Sequence, residues 1–302
     1  MSATLCPWCQ APRAEGPNCL KCGANYAKAE AIKKQGKVAF EPNTKDLRPL
    51  SEYVDPDQAI DVEGEWKLCL AAIPGALLVA LALHFVLPSL QRIVFAMPLH
   101  ELGHAVSGWL CGLPSIPMLW VTSIPRERSF IVPVAVAGVM GFLAFRAWRA
   151  EKPFYAGLCA AVLVLAAVGT FVLKPKTVQM LAVFSGDGLG LVFSTLLMAS
   201  FFFGKGTQLY QGSLRWGFVF IGASAFVDLY AVWWGARKDF GLIPFGEQER
   251  AGLSDATKLV DVHGWTADQL VHRYVLFGAV CLLALAAVYA WGVWRAWRYA
   301  QK

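Results

Sequence analysis

In "VFAMPLHELGHAVSGWLCGL", residues 94 to 113, His100 and His104 stand four positions apart and Glu101 directly follows the first histidine. On a helix such a pair projects from one face about a turn apart, so two imidazoles can share one metal ion. Glu101 then lies beside the metal and not on it, where its carboxylate can take a proton from an attacking water. The pattern is the one expected of the ligands and general base of a zinc hydrolase. The neighbouring residues are almost wholly apolar, and polar groups inside a membrane span cost free energy unless they face a cavity, a partner or a metal. The plainer reading, two interhelical hydrogen-bonding histidines beside a paired glutamate, asks for three such groups within one turn without a use. Gly103, Ala105, Ser107 and Gly108 are small enough to let a neighbouring helix or a substrate strand come close.

A second cluster opens the chain. In "CPWCQAPRAEGPNCLKCG", Cys6 and Cys9 form one CxxC pair and Cys19 and Cys22 another, with nine residues between the pairs. Each CxxC turn can aim two thiolates at one point, and two such turns complete a tetrahedral shell around a structural zinc, which supplies folding energy that so few residues cannot supply by packing. Two disulfides are the competing assignment, but adjacent CxxC pairs in a chain start without an apolar leader suit a metal better. The segment is similar to the short zinc ribbons at the ends of many bacterial proteins, which implies a module that binds a partner. Cys69, Cys111, Cys159 and Cys281 lie singly in apolar stretches and read as small buried side chains.

The elements that must position these residues are membrane spans. Of the 302 residues, 57% are hydrophobic and 16% charged, too apolar for a soluble domain of this size. The net charge of +6 is scattered between apolar blocks and forms no basic stripe, so no nucleic-acid partner is expected. Blocks long enough to cross about 30 Å of hydrocarbon lie near residues 68–88, 91–112, 130–147, 154–173, 178–203, 214–235 and 274–294, with a long polar loop from Ala236 to Arg273. The expected fold is an all-α polytopic membrane protein of about six to seven transmembrane helices with a small N-terminal four-cysteine zinc ribbon. Residues 1–25 form the ribbon, 26–66 a polar linker or peripheral segment with a short helix around Ala27 to Lys34, and 67–302 the membrane domain. Seven spans would leave the basic tail "RAWRYAQK" on the unfavourable side, which makes one candidate a re-entrant or split helix.

Around "HELGH" the sequence resembles the site-2 protease family of intramembrane zinc metalloproteases. That resemblance implies His100 and His104 as zinc ligands, Glu101 as general base and a later acidic residue as third ligand. A catalytic zinc keeps three protein ligands and an open position, and the acidic residues of the later apolar spans are Asp187 in "FSGDGLG" and Asp228 in "AFVDLY". The family places an Asp-Gly pair at the opening of a later helix, which Asp187-Gly188 fits, although the Asn-Pro that precedes it there is replaced by "MLAVFSG". Asp187, among glycines that can break or start a helix, is therefore expected as the third ligand, or as a helix N-cap. Asp228 is the alternative ligand or an acceptor orienting a metal-bound imidazole, unless it pairs with Arg237 or Lys238. His84 reads as a buried hydrogen-bonding residue and His263 and His272 as solvated ones, the alternative for His263 being a cap, with Trp265, over the aqueous side of the site.

The function expected is an intramembrane zinc metalloprotease that hydrolyses a peptide bond of a membrane-protein substrate, with one catalytic and one structural zinc. Its surroundings are the lipid bilayer of a bacterial inner membrane, with the ribbon on the cytoplasmic side. The alternatives are a non-catalytic membrane scaffold or adaptor with a partner-binding ribbon, and a metal transporter; transport predicts several carboxylates or histidines strung along the spans, and the chain shows one tight cluster with two isolated aspartates.

Overall fold

A computed structural model describes residues 62–203, 214–248 and 252–301 together with most of 5–30. Nearly all of the expected linker, with most of its short helix, lies outside the described residues. The chain divides into two units, residues 1–59 and 60–302.

The second unit is helical. In chain order it contains α1 (Val62–Val86), the short α2 (Pro88–Gln91), a π turn (Arg92–Ala96), α3 (Met97–Leu110), α4 (Ile131–Arg149), α5 (Pro153–Ala167), α6 (Pro175–Ala199), α7 (Leu214–Ala236), a one-turn α8 (Asp255–Thr257) and α9 (Ala267–Ala300). Two minimal antiparallel ladders interrupt this pattern: β1 (Ile116–Pro117) with β2 (Thr122–Ser123), and β3 (Glu247–Gln248) with β4 (Gly252–Leu253). Among the described residues, six helical stretches are long and apolar enough to cross a membrane: Gly64–Val86, Ile131–Arg149, Pro153–Val172, Pro175–Phe202, Leu214–Ala236 and Ala267–Ala300.

The seventh stretch expected from sequence, 91–112, differs from these six. Gln91, Arg92 and the "HELGH" residues lower its hydropathy, and its backbone passes through a π turn before Pro98, whose ring removes a donor from the opening turn of α3. Gln91 is wholly buried, and its amide donates to the carbonyls of Ala80 and Ser224, which ties this turn to α1 and α7. The left-handed Gly112 ends α3, and Leu113 N–H reaches back to the Gly108 carbonyl, a closure only a residue without Cβ makes without strain.

The periphery and centre of this unit have opposite characters. No residue of α4 is buried, and Val134, Phe142 and Phe145 on α4, like Phe154 and Phe171 in the following stretch, present bare apolar surface, as lipid-facing helices do. In α6, by contrast, residues from Val178 to Met198 are buried on several faces. The run "SGDGLG" was expected to break or open a helix, yet α6 passes through it without interruption. Its glycines are used for contact: α3 crosses α6 here, and a Cβ on Gly103 would press on the Ser185 carbonyl and come within 2.8 Å of that of Gly186. Close packing of small residues outweighs the poor helix propensity of glycine.

Gly103→Ala should therefore destabilise the protein by roughly 1–3 kcal/mol, the usual cost of overpacking. Gly138→Ala on α4, where an added Cβ meets nothing within 4 Å, should be neutral or stabilising by up to about 1 kcal/mol. Thermal unfolding of both variants in one detergent checks the contrast, and equal shifts would contradict the crossing.

Candidate metal centre

α3 carries His100, Glu101 and His104, and all three are buried. Each imidazole is oriented through Nδ1. In His100, Nδ1 lies 2.7 Å from Asp187 Oδ1 on α6; in His104, Nδ1 lies 2.7 Å from the Ala182 carbonyl one turn earlier on the same helix. A carbonyl only accepts, so His104 carries its proton on Nδ1, and a carboxylate imposes the same tautomer on His100. Both Nε2 lone pairs then point inward, 3.0 Å from each other. Gly186 makes room for them: a Cβ there would sit 2.6 Å from Cε1 of both rings.

A third group meets this pair. Asp255 Oδ2 lies 2.8 Å from His104 Nε2 and 3.1 Å from His100 Nε2. Burial pushes the Asp255 carboxyl up, but the two facing imidazoles, once added protons charge them, hold it well below the usual carboxylate range. Three lone-pair atoms therefore face one point, and with both Nδ1 atoms committed, only added protons or a metal cation can sit among them. The three donors fall within 4.8 Å of one another. Tetrahedral zinc with ligands at 2.0–2.1 Å separates its donors by about 3.3 Å, so the observed spacings need widen by only a few tenths of an ångström. The residues present fit the ion.

Asp255 stands in the polar loop between α7 and α9, outside the apolar spans that hold Asp187 and Asp228. The loop holds it firmly. Ser254 caps α8 by accepting from Thr257 N–H at 3.2 Å, Thr257 Oγ1 accepts from Gly246 N–H at 2.9 Å, and Ser254 N–H donates to the Gly246 carbonyl at 2.8 Å. The signal in the sequence was the capping serine before "DATKLV", which any helix start could show.

The other expected residues fall as follows. Asp187 meets His100 on its Nδ1 side, away from the Nε2 atoms, and its second oxygen accepts from Trp233 Nε1–H at 2.7 Å. It lies mid-helix and caps nothing. Asp228 is buried and paired with Arg92 at 3.0 Å, not with Arg237 or Lys238, because α7 turns its carboxylate toward the π turn before α3. Arg237 lies over the Trp234 ring. His84 is partly buried and edge-on to Phe85, and His272 is exposed. Trp265 contacts Phe184, one turn before Asp187 on α6, and Arg273 lies over the Trp265 ring. Glu101 Oε2 is buried without a hydrogen-bond partner among the described residues, while the Glu101 carbonyl accepts from Thr122 Oγ1 on β2 at 2.9 Å.

In the first unit, Cys6 Sγ lies 3.9 Å from Cys22 Sγ and Cys9 Sγ 3.6 Å from Cys19 Sγ. Tetrahedral zinc–thiolate bonds of 2.3 Å imply edges of about 3.8 Å, and no disulfide is formed. The two halves repeat one design: Cys6 N–H donates to the Ala11 carbonyl and Cys19 N–H to that of Ala24, and the bridges Leu5–Pro12 and Asn18–Asn25 flank the two turns. The Cys22 N–H, with the neighbouring thiols, lowers the Cys19 thiol to about 6.

Compared with protein-family models, with curated proteins and with solved structures, the chain gives no match.

Ser254→Ala should remove the cap of α8 at a cost of about 1 kcal/mol and loosen the segment that carries Asp255. Amide hydrogen exchange across residues 252–262 should quicken while that of α6 stays at the parent rate; unchanged exchange in 252–262 would show that the cap does not hold the segment.

Proposed function

We propose that this protein is a polytopic zinc metallopeptidase of the site-2 protease type, cleaving a peptide bond of a membrane-protein substrate within or beside the bilayer. The observation that carries the proposal is the convergence of His100 Nε2, His104 Nε2 and Asp255 Oδ2, with Glu101, directly after His100 on α3, keeping a buried carboxylate oxygen without a partner among the described residues. His100, His104 and Asp255 would hold the zinc, with Asp255 taking the role first expected of Asp187 and Asp228. Bound there, zinc supplies Lewis-acid polarisation of the scissile carbonyl and acidifies water.

The chain's own groups do the rest. Glu101 takes the proton of the attacking water and returns it to the leaving amine, so no nucleophilic side chain is required. Its buried oxygen is free to do so because neither imidazole nor any described cation claims it. The single anionic ligand partly offsets the ion's charge in a low-dielectric setting. A substrate helix must unwind before cleavage, since a helical peptide bond is shielded by its own hydrogen bonds.

The four cysteines would form a structural zinc site in a ribbon that binds a protein partner. Thiols that stay reduced favour the cytoplasm, so the ribbon is assigned to that side of a bacterial inner membrane. Against transport, Asp228 and Glu65 are each closed off in an ion pair, with Arg92 and Arg215, and Asp187 is committed to His100 and Trp233.

Purified protein should contain two zinc atoms, and Cys19→Ser with Cys22→Ser should leave one. Glu101→Gln should keep both and cut a co-expressed membrane substrate at least a thousandfold more slowly. Parent-level cleavage by Glu101→Gln would remove the peptidase reading in favour of an adaptor, and an unchanged zinc count in the double variant would remove the ribbon.

A further inference from the structure

Asp187 is a buried carboxylate with two partners and no cation in contact. One oxygen meets His100 Nδ1 and the other accepts from the Trp233 indole N–H, both at 2.7 Å. Arg92 spends its guanidinium on Asp228. The indole is fixed in its plane: Trp233 stacks on Tyr274 with ring centres 4.2 Å apart and planes 21° apart, and Tyr274 stacks on Phe184 at 4.6 Å and 22°. The Tyr274 hydroxyl donates to the Phe184 carbonyl at 3.0 Å, which closes the stack back onto α6. A core aromatic needs none of these polar links in order to be buried.

We infer that Trp233 and Asp187 are positioning residues for His100: the indole N–H aims the carboxylate, and the carboxylate fixes the tautomer and plane of the imidazole so that Nε2 faces the Asp255 oxygen. The relay joins α3, α6, α7 and α9. Trp233 lies one turn before the end of α7 and Tyr274 two turns into α9, so the stack clasps the two helices between which the Asp255 loop is strung. One set of contacts thereby sets both the imidazole and the base of the loop that brings its acidic neighbour. Acceptors of this kind behind a metal-bound histidine raise its basicity, and losing one weakens metal binding by about 10- to 100-fold. The inference rests on the metal site proposed above.

The test uses the full chain carrying Cys19→Ser and Cys22→Ser, so that no thiolate site competes, and cobalt(II) as the probe. Trp233→Phe keeps a ring on Tyr274 and removes the N–H; Asp187→Asn keeps an oxygen for the imidazole N–H and removes the charge. Trp233→Phe should bind cobalt about 10-fold more weakly than the parent, and Asp187→Asn about 10- to 100-fold. Both should fill to one cobalt per chain with a displaced visible absorption band, whatever the unfolding temperature of the metal-free form. A purely structural role would lower the unfolding temperature and leave affinity and band at parent values, which overturns the inference. So would an Asp187→Asn protein that takes up no cobalt at any concentration, since Asp187 would then be a ligand itself. A parent that binds no cobalt sinks the metal reading instead, and the two failures are told apart before any variant is compared.

Discussion

Two Nδ1–H hydrogen bonds govern this molecule. By tying His100 to Asp187 and His104 to the Ala182 carbonyl, α6 turns both Nε2 lone pairs of α3 toward one point, where the Asp255 carboxylate adds a third acceptor. Acceptors so arranged repel one another until a cation or protons intervene. The site is thus preorganised for positive charge, with an electrostatic cost that binding relieves. Zinc is the occupant we propose because its ligand set and bond lengths suit two imidazoles and one carboxylate with a position left open.

Much of the remaining architecture serves that geometry. Gly103 and Gly186 let α3 lie against α6 closely enough for ring-to-carboxylate and ring-to-carbonyl bonds. Arg92 neutralises Asp228 and so leaves Asp187 for the imidazole. The outer helices α4 and α5 pack on each other and offer apolar faces outward, consistent with a support exposed to lipid. The loop from α7 to α9 contributes the least regular structure and the most exposed of the three facing groups.

Legibility in the sequence followed the range of the interactions. His100, Glu101 and His104 were visible because helical periodicity alone puts them together, and the four cysteines because each CxxC pair is a local turn. Five of the helices were found close to their observed positions from apolar length. α9 starts seven residues earlier than its apolar block because Thr266 and Gln269 form a capping box ahead of the lipid-facing part. What was not legible depended on distant contacts. Glycines 186, 188 and 190 suggested a helix end, yet they sit inside a helix, with Gly186 against the imidazoles of α3 and Gly190 against Leu229 of α7. Asp228 found Arg92, 136 positions away. Asp255 lies 155 positions from His100, in a loop containing several other acidic residues, and nothing local distinguishes it from them.

The central claim is that Asp255, delivered by a loop, completes the set begun by His100 and His104. X-ray absorption at the zinc edge, on full-length protein carrying Cys19→Ser and Cys22→Ser, tests it most directly. The account predicts a shell of two imidazole nitrogens and one carboxylate oxygen at about 2.0–2.2 Å, with the carboxylate oxygen and most of the zinc lost in Asp255→Ala. An Asp255→Ala protein that keeps both its zinc and the parent shell would contradict it.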